Sequence, residues 1–250
     1  MANRIMIGAA AVAKHFKDFR STSGVDMISW DKKVEGCSSH YSPAFEYLLK
    51  QDKVIASPDE LYTIKVSHAT WDVSWTKTMW DIGFLQTKGC KVIEPFYKEL
   101  YRDWELKHGP KRIQVDIPDE LFFNSKVKSK FTSEYIRQKL MFYDVPLYDQ
   151  LKYNQESKWI EQYLFERLSP QDKIRMVREE AYVLALERYL IPTEFSLNTL
   201  VAYRKALKAL VIYYSRGWFP RFIIDNWVNI RDLEDCSKYL NFIEREGLAT

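Results

Sequence analysis

The chain has 250 residues, 46% of them hydrophobic and 15% aromatic, with eight Gly and nine Pro; this composition excludes a disordered or low-complexity protein and suits one good core or two small ones. The formal net charge of +3 is too small to name a polyanionic partner, and the longest apolar runs fall far short of the roughly 20 residues a membrane span needs. Cys37, Cys90 and Cys236 are scattered, odd in number and form no CxxC pair, and no apolar leader precedes them, which predicts a reducing, cytoplasmic setting without a membrane partner.

The first third alternates strand and helix patterns. A strand is predicted over 4–7, a helix over 9–19 with Ala9, Val12, Ala13 and Phe16 at helical spacing, and a strand over 25–30. Ser42 as cap, with Pro43 at the first helical position, opens a helix to 49. Residues 53–56 and 60–66 read as two further strands around the turn Ser57-Pro58-Asp59. Beyond His68 the period becomes helical. The spacing predicts helices over 75–87, closed by Gly89, and over 94–107, stopped by His108-Gly109-Pro110, then irregular structure over 115–123. Further helices are predicted over 132–142, 170–190, 196–215, 220–229 and 233–246, the second opened by Ser169-Pro170 and ended by Pro192. The expected fold class is α+β: a small N-terminal mixed sheet over 1–90 packed on a mainly helical domain over 91–250. Within the 170–190 helix, Glu179, Glu180 and Glu187 read either as functional acids or as surface partners of neighbours such as Arg175.

Several residues carry possible chemistry. Gly8, Ala9 and Ala10 follow the first strand, where bare backbone N–H groups at a helix start can meet an anion; tight strand–helix packing explains the same residues. Asp26 sits on the next strand, but its partner two residues earlier, where a second metal-binding acid would share its face, is Gly24. His68, Trp71, Trp75 and Trp80 form either a stacking platform or packed core. His15, His40 and His108 show no metal-type spacing with His68, so no structural zinc is expected. The stretch 195–224 contains no Asp or Glu while holding Arg204, Lys205, Lys208, Arg216 and Arg221 among aromatic residues. Those five are candidate nucleic-acid contacts or a solvated face, as are Lys126, Lys128 and Lys130 in the acid-free run 121–133. Cys37 with His40 is a possible nucleophile pair. There is no GxxxxGK[ST], GxGxxG, GxSxG or HExxH motif.

Ile7-Gly8-Ala9 at the turn, Val25-Asp26-Met27-Ile28 on the acid strand, Leu61-Tyr62-Thr63-Ile64-Lys65-Val66, and Lys77-Thr78-Met79-Trp80-Asp81-Ile82 together resemble the polymerase-β type nucleotidyltransferase superfamily. The likeness covers residues 4–90 and is nearest to antitoxin-like and phage-encoded members. The pattern has a serine where this chain has Ala9 and an acid where it has Gly24, so the resemblance implies a degenerate site. It implies metal-dependent nucleotidyl or phosphoryl transfer on a nucleotide or nucleic acid in a host cytoplasm, with Mg2+ or Mn2+ as cofactor. Asp26, Glu60 and Lys65 are its catalytic candidates, Asp26 and Asp59 its metal ligands, and Gly8, Ala9, Arg20, His68 and Lys77 its nucleotide contacts. The structural alternative pairs Asp26 with Arg20 and leaves Lys65 and Lys77 on the surface. Two other functions stay open: a metal-dependent nuclease using Asp26, Asp59 or Glu60 and Lys65, and a non-catalytic protein that binds a nucleic acid or a host protein.

Overall fold

The structure is a computed structural model that describes residues 4–30, 36–72, 74–108, 162–185, 199–214 and 218–232. By its internal contacts the chain divides into two units, Met1–Ile113 and Gln114–Thr250. The fold is α+β.

The first unit is built on a small mixed sheet. Strand β1 (Arg4–Ile7) runs into helix α1 (Gly8–His15), and β2 (Asp26–Ser29) returns antiparallel to β1, pairing Arg4 with Ser29 and Ile7 with Asp26. Strand β3 (Ser38–His40) lies parallel to β2, with Ser38 opposite Asp26. On the other side of β1, the Met6 N–H donates to the Val54 carbonyl at 2.8 Å and the Ala56 N–H to the Met6 carbonyl at 3.0 Å. The predicted strand over 53–56 is thus a single bridge, Met6 to Ile55. Period-two alternation turns Ile5 and Ile7 of β1, with Ile28 of β2, into the core, where α1 covers them with Ala9, Ala11 and Val12. A 3-10 turn over Pro43–Phe45 leads into the one-turn helix α2 (Glu46–Leu49).

Helices α3 (Pro58–His68), α4 (Trp75–Thr87) and α5 (Glu94–His108) complete the unit, with α3 packed against α1, α4 and α5. The strand predicted over 60–66 is corrected here: it is the middle of α3. Its β-branched alternation loses to the start signal before it. The Ser57 hydroxyl accepts the Glu60 N–H at 3.4 Å, the Glu60 carboxylate accepts the Ser57 N–H at 2.7 Å, and Pro58 holds the first helical position. Every residue from Glu60 to Ser67 is buried, so no amphipathic period marked this helix in the sequence.

In the second unit the described residues are helical. They form α6 (Gln162–Glu166), α7 (Pro170–Ala185), α8 (Thr199–Ala209) continuing into a π-helical turn over Leu210–Tyr214, α9 (Trp218–Asp225) and α10 (Trp227–Ile230). The core contains Met176, Tyr182, Tyr203, Leu207, Phe219 and Ile223, and the Tyr203 hydroxyl donates to the Ile230 carbonyl at 2.6 Å. Glu179 and Glu180 are buried rather than on a charged surface, with Arg175 Nε 3.9 Å from Glu179. The elements predicted over 115–123, 132–142 and 233–246 lie outside the described residues. Among the described residues no helix is long and apolar enough to cross a membrane.

Candidate functional site

A cavity of about 770 Å³ opens in the first unit where the end of β1, the start of α1, β2 and helices α3, α4 and α5 converge. Gly8, Ala9, Arg20, Asp26, Lys65, His68 and Lys77, scattered between positions 8 and 77 of the sequence, all line it. Asp59 and Glu60 do not.

At one end Gly8 lies directly against Asp26. Gly8 has φ +70°, and a Cβ built on it would stand 2.2 Å from Asp26 Oδ2. Only glycine satisfies both the left-handed backbone and this close approach. The other carboxylate oxygen of Asp26 is 3.4 Å from His40 Nε2. That contact, opposed by partial burial and helped by the charges of His40, Lys65 and Lys77, holds the Asp26 carboxyl below its ordinary value of 3.8. Asp26 does not pair with Arg20.

Arg20 goes instead to Asp81, in a bidentate pair with Nε at 2.7 Å and a terminal nitrogen at 2.8 Å. Lys65 Nζ reaches the same carboxylate at 2.8 Å. Asp81 is 1% exposed and accepts from two cations brought by a loop and by α3, a geometry that fixes both heads at the cavity wall. Lys77, one turn before Asp81 on α4, is exposed and adds a third positive charge. Around the cavity as a whole Arg20, Lys65, Lys77 and Lys107 face the carboxylates of Asp26, Asp72, Asp81 and Asp103, four cations to four anions.

Further along, the His68 ring is anchored at both nitrogens. Its Nδ1 donates to the Ile64 carbonyl at 2.6 Å, since a carbonyl can only accept, and its Nε2 lies 3.3 Å from Asp72 Oδ2. His68 is thus held in place at both ring nitrogens. Asp72 also accepts from the Thr78 hydroxyl and, at 2.7 Å, from the Ser74 N–H. Burial alone would raise its carboxyl, but His68, Thr78 and Ser74 outweigh it and hold the group well below 3.8. A depressed folded-state value means that the stabilisation is fully present above about pH 4 and is lost as pH falls further. Asp72→Asn is expected to lose about 1–3 kcal/mol at pH 7 and to show a smaller decline in stability than wild type between pH 4 and pH 2, read by urea titration at each pH.

The remaining candidates lie elsewhere. Glu60 is corrected from catalysis to structure: its carboxylate caps α3 and takes the Lys53 ammonium. Asp59 accepts the Lys91 N–H at 2.9 Å, so helix formation over 58–68 turns both acids away from Asp26. Trp75 is buried, and Trp80 stacks outside the cavity on Phe84 at 5.7 Å and 12°. Only Trp71 of the three lines the cavity. In the second unit, Arg204 pairs with Asp232 at 2.9 Å and Arg221 with Asp225 at 2.7 Å, so acids just outside the acid-free window neutralise charge within it. Lys205 and Lys208 are half-buried on α8; Arg216 lies outside the described residues. Asp103, Trp104, Lys107 and His108 of α5, which the sequence reading passed over, form the far wall. Their i, i+4 spacing along α5 was the one signal available.

The donor set does not fit the pair of divalent cations that in-line nucleotidyl transfer uses. Asp81 is taken up by Arg20 and Lys65, which leaves Asp26 without a second free carboxylate beside it among the described residues, and β2 begins at Asp26, so Gly24 precedes the strand. Among the described residues no group of three or more His, Cys, Asp or Glu side chains is placed to hold a metal.

Comparison with curated proteins and with solved structures gives no match. A family model described as a domain of unknown function, DUF7275, matches residues 60–244, from α3 through the second unit and about three quarters of the chain, while β1 to β3 precede the matched region. The chain belongs to the DUF7275 family.

Proposed function

We propose that the first unit is a nucleotidyltransferase-like module that binds a phosphorylated nucleotide in this cavity, with binding rather than transfer as its function. The observation that carries the reading is convergence. The segments that resemble the superfamily are far apart in sequence, yet Gly8, Arg20, Asp26, Lys65 and Lys77 meet around one cavity. Backbone N–H groups at the start of α1, an oriented guanidinium and two ammonium groups suit phosphate oxygens. With Asp81 already taken up by Arg20 and Lys65, Asp26 is left without a second free carboxylate beside it among the described residues, which suits a metal pair poorly and favours the binding reading over both transferase and nuclease.

Calorimetric titration of the full chain with inorganic triphosphate and with the four common nucleoside triphosphates tests this. Wild type is expected to bind at least one of them without added magnesium, and Lys77→Ala to weaken that binding about 3- to 10-fold at low salt, less at high salt, as an exposed charge does. Absence of binding by all five ligands overturns the reading. A strict requirement for magnesium or manganese overturns the binding-only form and restores transfer.

A further inference from the structure

The cavity is also lined by α5. Its far wall holds Trp104, half-buried on α5, with the His68 ring tilted toward it at 5.6 Å and the His108 ring stacked on it at 5.4 Å and 20°. The Lys107 ammonium lies 5.2 Å over the same indole. Lys107 is exposed and carried on a flexible stem, so it covers the ring without sealing it and can swing aside for a planar group. Asp103, the residue before Trp104 on α5, also lines the cavity. Its Oδ2 takes the Ser42 hydroxyl and, at 3.1 Å, the Ala44 N–H, while its Oδ1 has no bond among the described residues. A carboxylate held still by two donors, with one oxygen unused, is a fixed acceptor for an N–H group. An aromatic face and an acceptor from α5, and cations from α3, α4 and the Arg20 loop, line one cavity and match the two chemistries of a nucleotide. At about 770 Å³ the space falls within the range of roughly 300–1,000 Å³ typical of small-molecule sites.

We propose that the α5 wall is a nucleobase subsite: the base stacks on Trp104 and presents an amino or ring N–H to Asp103 Oδ1, with its phosphates toward Lys65 and Lys77. The proposal rests on the nucleotide-binding reading above and narrows its ligand from any polyphosphate to a nucleoside polyphosphate. His68 positions the indole, because Ile64 and Asp72 fix the imidazole that faces it.

The test is titration of full-length wild type, Trp104→Ala, Trp104→Phe and Asp103→Asn with inorganic triphosphate and with the four common nucleoside triphosphates. Base stacking is worth about a 5- to 150-fold gain in affinity per base, so the tightest nucleotide is expected to bind wild type at least tenfold better than inorganic triphosphate. Trp104→Ala should bring that nucleotide down to the affinity of triphosphate while triphosphate binding is unchanged, which also shows that the variant is folded; Trp104→Phe should recover most of the gain. Asp103→Asn should weaken nucleotide binding several-fold and leave triphosphate equal or tighter, whereas loss of a negative charge alone would tighten both. Equal wild-type affinities for nucleotide and triphosphate overturn the subsite and leave the phosphate site standing. No binding of any of these ligands to wild type overturns the nucleotide reading and the subsite with it.

Discussion

Replacing Asp81 with alanine is expected to cost the first unit about 3–5 kcal/mol, the largest effect of any single substitution at the site. The carboxylate is 1% exposed and holds both Arg20 and Lys65. Its removal leaves Lys65, whose side chain is 10% exposed, as a charge without its hydrogen-bonded counter-ion and with little water. At an ordinary urea dependence of about 1–3 kcal/mol per molar, the unfolding midpoint should fall by more than about 1 M. Asp81→Asn keeps the shape and an acceptor and should cost less. Lys65→Met in the Asp81→Ala background removes the stranded charge and should recover part of the loss, so the double variant is expected to be more stable than Asp81→Ala alone. An additive or more damaging second substitution would show that burial of the lysine is not what makes the first one costly.

Gly8→Ala is the second large effect, expected at roughly 2–3 kcal/mol. Two separate costs contribute. A left-handed residue with a Cβ is strained by about 1–2 kcal/mol, and this Cβ would lie 2.2 Å from Asp26 Oδ2, so the carboxylate must turn away. A mutant cycle separates them: an Asp26→Ala background removes the clash with the carboxylate and leaves the backbone cost together with the 3.0 Å contact to the Cβ of residue 26. Gly24→Ala is the control, since nothing lies within 4 Å of the Cβ it would add, and it should stay within about 0.5 kcal/mol of wild type. Equal effects at Gly8 and Gly24 would contradict the packing of α1 on β2. Because Asp26 and the start of α1 face the cavity, triphosphate binding should also fall in Gly8→Ala and persist in Gly24→Ala.

The sequence was most legible where local rules agree. β1, α1 and β2 follow from alternation, small residues and a glycine turn, and α4 and α5 from helical period with clear stops. Residues 60–66 misled because Leu61, Thr63 and Ile64 look strand-like one by one, while the Ser57-Pro58-x-Glu60 start lies just upstream and a helix buried on every side leaves no polar face to count. At the site, Gly8, Asp26, Lys65 and Lys77 could be singled out one by one, as a turn glycine, a strand acid and two lysines, and the structure places all four on the cavity lining. The role of Asp81 was not legible. Its partners are 61 and 16 residues away in sequence, and nothing local says that α4 will deliver a carboxylate between them. The same holds for Trp104 and Asp103, which look like ordinary residues of an amphipathic helix until the packing of α3 against α5 turns them toward the cavity.

The bridge between Met6 and Ile55 also governs how this sheet meets other molecules. With β2 on one side and the 54–56 segment on the other, β1, which carries Ile5 and Ile7, has both rows of backbone groups occupied. Among the described residues the sheet ends at β3, three residues long and composed of two serines and a histidine. Such an edge gives an approaching chain few hydrogen bonds and no apolar row on which to template, so the strand most prone to cross-β stacking is kept from acting as a seed. Partial unfolding that releases the 54–56 segment would uncover the Met6 N–H and carbonyl that the bridge now occupies.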